Sequence, residues 1–234
     1  RKRNLRYSNG RYFTELSASV SPLFIADYLL FILNDGDTMT THAISRFPVP
    51  DLAALPNDLQ KLFHDVSEKA GFVPNVFWVL AHRPEELRAF WAYHEALMRR
   101  DSGLSKGERE MIVVATSAEN NCLYCVVAHG AILRIYEKSA TIADAIATNY
   151  KKADITDRQK AMLDFAIKTC NRSQDINEDD FAILYQHGFN DDDIWDIGAI
   201  TGLFALSNRM ASLTSMRPNA EFYALGRDFP IAGS

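Results

Sequence analysis

Helical periodicity is the feature that most constrains this chain. From about residue 52 onward, apolar residues recur at intervals of three and four, and runs that alternate apolar with polar residues are almost absent. In the first such stretch, Leu55, Leu59 and Phe63 fall on one helical face, and Gly71 stands where a helix would end. The sequence therefore predicts an all-α protein, a multi-helix bundle.

Start signals support the helical assignment at several points. Ser105 precedes Glu108 by three residues and Thr156 precedes Gln159 by three, which is the capping-box pattern. Asn190, followed by three aspartates, predicts the start of a long final helix.

A weak internal similarity accompanies these signals. A shift of 51 residues aligns 104–120 with 155–171. The alignment indicates either two degenerate helical repeats or two amphipathic helices that share a general pattern, and both interpretations stay open at this stage.

Composition limits the function classes. The chain has 234 residues, 47% of them apolar, and a formal net charge of -5. This length supports a sizeable core. The acidic balance argues against a nucleic-acid partner, because binding phosphates requires a basic surface. Three cysteines are too few for a disulfide framework. We therefore expect a cytoplasmic protein.

The first 38 residues differ from the rest. They begin with a basic run, and the apolar stretch 20–33 is fourteen residues long and interrupted by Asp27. That length is too short to span a bilayer, and no small-residue cleavage site follows. Our hypothesis is that 1–38 is an extension without a fold of its own and that 39–234 is a single helical domain beginning at Met39. No membrane association is expected.

The stretch CLYCVVAH contains the residues best suited to chemistry. On a helix, Cys122, Cys125 and His129 would lie within a sector of about 60°. Cysteines three apart can cycle between dithiol and disulfide. A histidine one turn beyond Cys125 can accept a thiol proton or stabilise a thiolate. The spacing thus favours a redox-active pair.

A catalytic histidine usually needs a carboxylate to orient it. Glu110 is the candidate, because a helical hairpin would bring its neighbourhood back to His129. The alternative is that Glu108, Arg109 and Glu110 form a solvated first helical turn.

Other interpretations of the cysteine and histidine pattern remain. The three side chains could simply pack in the core. They could also supply three ligands to zinc, although a fourth is absent nearby and ligands on one helix suit a tetrahedron poorly. Attachment of c-type haem is excluded, because Val126 and not histidine follows Cys125. The isolated histidines are expected to be surface or packing residues: His64, His82, His94 and His187.

The segment EMIVVATSAENNCLYCVVAH resembles the core motif of the alkyl hydroperoxidase D family, within the carboxymuconolactone decarboxylase-like superfamily. The motif residues are Glu110, Cys122, Cys125 and His129. Flanking segments extend the similarity to about 46–216 and are similar to the subgroup of peroxidase-related enzymes.

The resemblance implies an all-helical homo-oligomer that reduces hydroperoxides without a cofactor or a metal. In that scheme Cys125 is the attacking thiolate, and its proton leaves through His129 and Glu110. The resulting sulfenic acid condenses with Cys122 to a disulfide, which an external dithiol reduces. The spacing argument alone would instead select Cys122, nearer the helix start, as the more acidic thiol.

The chain departs from the family pattern between the cysteines. The best-studied members have a histidine there, whereas this chain has Leu123 and Tyr124. Two other functions are therefore retained as alternatives: a non-catalytic oligomer whose dithiol senses redox state or binds metal, and an enzyme of the carboxymuconolactone decarboxylase type.

Overall fold

The computed structural model describes residues 43–229, so the predicted extension 1–38 lies outside the described residues. Within this range the chain is helical and has no strand, which confirms the all-α prediction. Ten α-helices follow one another: α1 Asn57–Ala70, α2 Asn75–Leu80, α3 Pro84–Met98, α4 Lys106–Glu119, α5 Leu123–Glu137, α6 Ile142–Asn149, α7 Asp157–Arg172, α8 Glu178–Gln186, α9 Asp191–Thr214 and α10 Ala220–Ala224. No helix among the described residues is long and apolar enough to cross a membrane.

The predicted start and stop signals define the helix ends. The Ser105 hydroxyl accepts a hydrogen bond from the Glu108 amide at 3.0 Å, and the Glu108 carboxylate accepts one from the Ser105 amide at 2.9 Å. The boxes at Thr156 and Asn190 have the same reciprocal bonds. Gly71 adopts φ 81° at the end of α1, a left-handed conformation that glycine tolerates without steric cost.

Helix α4 is the centre of the fold. Eleven consecutive residues, from Gly107 to Ser117, are buried. Helices α5, α6, α7 and α9 pack around it. The apolar run in the middle of α4 explains this placement, because a helix that is apolar on every side must be surrounded. Helices α4 and α7 both begin with a capping box and pack against each other, which is consistent with either interpretation of the internal similarity.

The charged first turn of α4 is buried and not solvated. Glu108, Arg109 and Glu110 are each at most 6% exposed. Arg109 donates hydrogen bonds to the Leu97 carbonyl at 2.5 Å and to the Asp196 carboxylate at 3.2 Å. Because Asp196 is itself fully buried, the Arg109 guanidinium neutralises a charge that water cannot reach. It also ties the end of α3 to α4 and α9.

Helices α1, α2 and α3 form a smaller apolar cluster beside the main core. Its members include Leu59, Phe63, Phe77 and Leu87. The rings of Phe63 and Phe77 meet edge to face at 6.0 Å. This cluster is one wall of the cavity described below.

Replacing Arg109 with methionine should destabilise the fold by about 3 kcal/mol, because Asp196 would lose its buried counter-charge. Urea unfolding followed by circular dichroism measures the effect. The control is Lys61→Ala, which removes an exposed pair with Asp65 and should leave the unfolding midpoint nearly unchanged. Equal effects of the two substitutions would contradict the anchoring role of Arg109.

Candidate active site

The turn between α4 and α5 places the two cysteines. Asn121 adopts φ 52°, and Cys122 follows with φ -85° and ψ 95°. Cys122 is therefore the N-cap of α5 and not a helical residue, which corrects the expectation that both cysteines lie on one helix. Its sulfur accepts a hydrogen bond from the Cys125 amide at 3.4 Å, as a capping side chain does.

The two thiols are buried and hydrogen-bonded to each other. Cys122 is 2% exposed and Cys125 is 1% exposed. A hydrogen bond from the Cys125 thiol, assisted by the Cys125 amide, lowers the pKa of Cys122. The same thiol hydrogen bond, together with burial, raises the pKa of Cys125. When the pair loses one proton, the negative charge is therefore favoured on Cys122 and the remaining proton on Cys125.

Glu110 and His129 lie in contact. The Glu110 carboxylate is 2.8 Å from the His129 Nδ1 atom, and both side chains are largely buried. The contact exists because α4 and α5 pack as a hairpin. His129 follows Cys125 by one helical turn on the same face of α5. The structure thus brings Glu110 to His129, one helical turn from Cys125.

Helix α9 contributes residues that no sequence pattern indicated. The Ser207 hydroxyl lies 3.8 Å from the Cys125 sulfur. Asn208 accepts a hydrogen bond from the Ser117 hydroxyl at 3.0 Å, which joins α9 to α4 beside the dithiol. Ser207 is 82 residues from Cys125, and no motif marks it.

A cavity of about 610 Å³ adjoins the site. Glu110, His129 and Ser207 belong to its wall, together with aromatic side chains from several helices. Cys125 is not part of this wall, but its sulfur lies 3.8 Å from the Ser207 hydroxyl. A second, smaller space of about 240 Å³ is lined by Cys122, Met216 and Arg217 among others. Cys122 therefore borders the smaller space, whereas Cys125 contacts a residue of the large cavity wall.

His94 lies in the cavity wall and not at an ordinary surface position. Its ring stacks on Trp91 with centroids 4.9 Å apart, and its centroid is 6.5 Å from that of His129. The Nδ1 atom is buried without a hydrogen-bond partner. Sequence analysis assigned His94 to the surface or to packing, because nothing in the sequence relates α3 to the dithiol.

Tyr124 is one of the two residues that lie between the cysteines. Its hydroxyl accepts a hydrogen bond from the Val76 amide at 3.1 Å. Burial raises the pKa of Tyr124, so the phenol stays protonated at neutral pH. Its ring lines both the large cavity and the smaller space.

A metal site was the sharpest alternative for the cysteine and histidine pattern. Within residues 43–229 no group of three or more His, Cys, Asp and Glu side chains is placed to hold a metal ion. Cys170 is also apart from the dithiol, and its sulfur accepts a hydrogen bond from Asn120 at 3.3 Å.

Fold and site together define an all-helical protein with a buried cysteine pair beside a carboxylate–histidine pair. Residues 84–168 match the model of the carboxymuconolactone decarboxylase family. A search of the curated proteins gave no match.

Solved structures extend the comparison. The chain is 65% identical to a peroxidase-related protein with an alkylhydroperoxidase AhpD core from Ralstonia eutropha JMP134, with a TM-score of 0.80 over 81% of this chain and 100% of that one. It is 45% identical to a peroxidase-related protein from Silicibacter sp. TM1040, with a TM-score of 0.76 over 79% and 97%. The debrominase Bmp8, at 18% identity and a TM-score of 0.64 over 80% and 97%, shares the fold. The chain belongs to the alkylhydroperoxidase D-like, peroxidase-related group of the carboxymuconolactone decarboxylase family.

The shifted thiols predict a pH-dependent order of alkylation. Cys122 should react with iodoacetamide at lower pH than Cys125, because only the thiolate reacts and the pKa of Cys122 is the one that is lowered. Brief labelling across a pH series, followed by peptide mass spectrometry, measures both profiles. In Cys122→Ala the profile of Cys125 should move to lower pH. Coincident profiles in the unsubstituted protein would contradict the assignment of the charge.

Proposed function

We propose that this protein is a thiol-dependent peroxidase that can also act as a disulfide reductase, with Cys125, Cys122, His129 and Glu110 as its catalytic residues. The observation that carries the proposal is the 2.8 Å contact between Glu110 and His129, one helical turn from a hydrogen-bonded cysteine pair. The similarity to peroxidase-related proteins supports the reaction class.

The proton distribution within the pair gives each group a role. The pKa of Cys125 is the raised one of the pair, and its sulfur lies 3.8 Å from Ser207 in the wall of the large cavity. It therefore needs a base before it can attack. His129 is positioned to take that proton, and the Glu110 carboxylate stabilises the resulting imidazolium.

The reaction then proceeds in three balanced steps. The Cys125 thiolate attacks the terminal oxygen of a hydroperoxide, the O–O bond breaks, and a sulfenic acid and an alkoxide form. The Cys122 thiolate attacks the sulfenic sulfur and displaces hydroxide, which becomes water on protonation. An external dithiol reduces the disulfide and is itself oxidised to a disulfide.

The smaller space supports the entry of the reductant at Cys122. Because Cys122 lines that space, an incoming thiolate can reach its sulfur and displace Cys125. In this scheme the peroxide reacts at Cys125, and the reductant later attacks the Cys122 sulfur of the disulfide. We further propose that the protein works as a homo-oligomer in the cytoplasm, where reducing dithiols are available.

Oxidation should consume two of the three thiols. One equivalent of organic hydroperoxide should remove two free thiols per chain within the fast phase, whereas Cys125→Ser should lose none in that phase. In Cys122→Ser a sulfenic acid should accumulate at Cys125, because the resolving thiolate is gone, and dimedone labelling with peptide mass spectrometry detects it. Cys170→Ser is the matched control and should behave like the unsubstituted protein. A dimedone adduct at Cys122 in Cys125→Ser, with none at Cys125 in Cys122→Ser, would reverse the roles.

Removing the Glu110 charge should slow the reaction. Glu110→Gln keeps the shape of the side chain but loses the carboxylate that stabilises protonated His129, and the rate of thiol oxidation should fall by about 10²-fold. Stopped-flow measurement of thiol loss gives this rate. Glu119→Gln, at the other end of α4 and bonded to Asn171, is the control and should keep the full rate. An unchanged rate in Glu110→Gln would remove this residue from the mechanism.

A further inference from the structure

We propose that His94 is a second acid of this site, which protonates the oxygen that leaves when Cys125 attacks a hydroperoxide. The inference rests on the proposed peroxidase function and adds a residue outside the family motif. His94 comes from α3, 28 residues before Cys122, and reaches the dithiol region only through the packing of α3 on α9.

Placement is the first argument. His94 and His129 line the same cavity, with ring centroids 6.5 Å apart. Both rings also meet the ring of Phe204, at 6.3 Å for His94 and 4.6 Å for His129. In the proposal, a hydroperoxide binds between the two imidazoles and accepts a hydrogen bond from His94 on one oxygen. Its other oxygen then faces the Cys125 sulfur, one helical turn from His129.

The surroundings of His94 suit a proton donor. Its Nδ1 atom is buried, lacks a hydrogen-bond partner and lies 3.7 Å from the Glu95 carboxylate. That carboxylate is the counter-charge for the proton that the proposal assigns to His94. The flat contact with Trp91, at an interplanar angle of 12°, holds the ring in place. Arg99 Nε also lies 2.8 Å from the Glu95 carboxylate and forms an ion pair with it.

The cavity wall thus contains two imidazole–carboxylate pairs, His129 with Glu110 and His94 with Glu95. The remaining charged side chains on the wall come from α1, α3 and the start of α4: Asp65, Lys69, Arg99 and Lys106. The two phenols on the wall, Tyr124 and Tyr136, both have a raised pKa and are weaker acids. With two imidazoles in the wall, one can accept the thiol proton while the other donates a proton to the leaving oxygen.

The step balances. The Cys125 thiolate bonds to the terminal oxygen of ROOH, the O–O bond breaks, and its electron pair leaves with the RO fragment. The His94 imidazolium gives its proton to that oxygen, so that ROH departs and His94 becomes neutral. Solvent in the cavity restores the proton before the next turnover.

A leaving-group comparison tests the inference. Single-turnover thiol oxidation is measured with tert-butyl hydroperoxide, whose alkoxide needs a proton, and with peracetic acid, whose acetate leaves without one. His94→Gln should lower the tert-butyl hydroperoxide rate by about 10²-fold and the peracetic acid rate by at most about threefold, as expected for loss of a general acid. The ratio of the two rates is independent of the fraction of folded protein. His64→Gln removes an exposed histidine beside Glu68 and is the matched control, with both rates unchanged.

The outcomes separate the two proposals. If the unsubstituted protein oxidises its thiols with both reagents and His94→Gln lowers both rates equally, or lowers neither, the role of His94 is overturned and the peroxidase function stands. If the unsubstituted protein reacts with neither reagent, the proposed function fails, and the role of His94 fails with it. Only a selective loss with tert-butyl hydroperoxide supports the second acid.

Discussion

The burial of the first turn of α4 is the constraint on which the rest of the structure depends. Three consecutive charged residues, Glu108, Arg109 and Glu110, enter the core, and each needs a partner there. Glu108 pairs with Arg158 of α7, Arg109 pairs with Asp196 of α9, and Glu110 contacts His129 of α5. One turn of helix therefore fixes the positions of three neighbouring helices. The same packing that neutralises these charges holds the histidine beside the cysteine pair.

Within this turn, the contact partner of each charged residue decides whether the residue anchors the fold or is available for chemistry. Glu108 and Arg109 contact permanently charged side chains and do not line the cavity. Glu110 contacts an imidazole, whose charge can change near neutral pH, and it faces a cavity. The pair that can change its charge is therefore the one that an incoming molecule can reach.

Local patterns account for what the sequence could predict. Capping boxes at Ser105, Thr156 and Asn190 involve residues three apart, so their geometry is contained in a short stretch of chain. The hairpin of α4 and α5 was a supposition in the choice of Glu110, and it too joins helices that are adjacent in the sequence. The burial of the charged turn could not be predicted, because it depends on partners 19 to 87 residues away. Ser207 and His94 reach the site through the packing of α9 and α3, and no local signal encodes that geometry.

The position of Cys122 at the start of α5 has a consequence for the energetics of oxidation. In the reduced state its sulfur accepts the Cys125 amide and so caps the helix. A sulfur in a disulfide is a poorer acceptor than a thiolate, so forming the bond leaves the first turn of α5 without its best partner. Stabilising the dithiol relative to the disulfide raises the reduction potential. The cap at the start of α5 therefore favours the dithiol over the disulfide, so that the oxidised pair is easily reduced for another cycle.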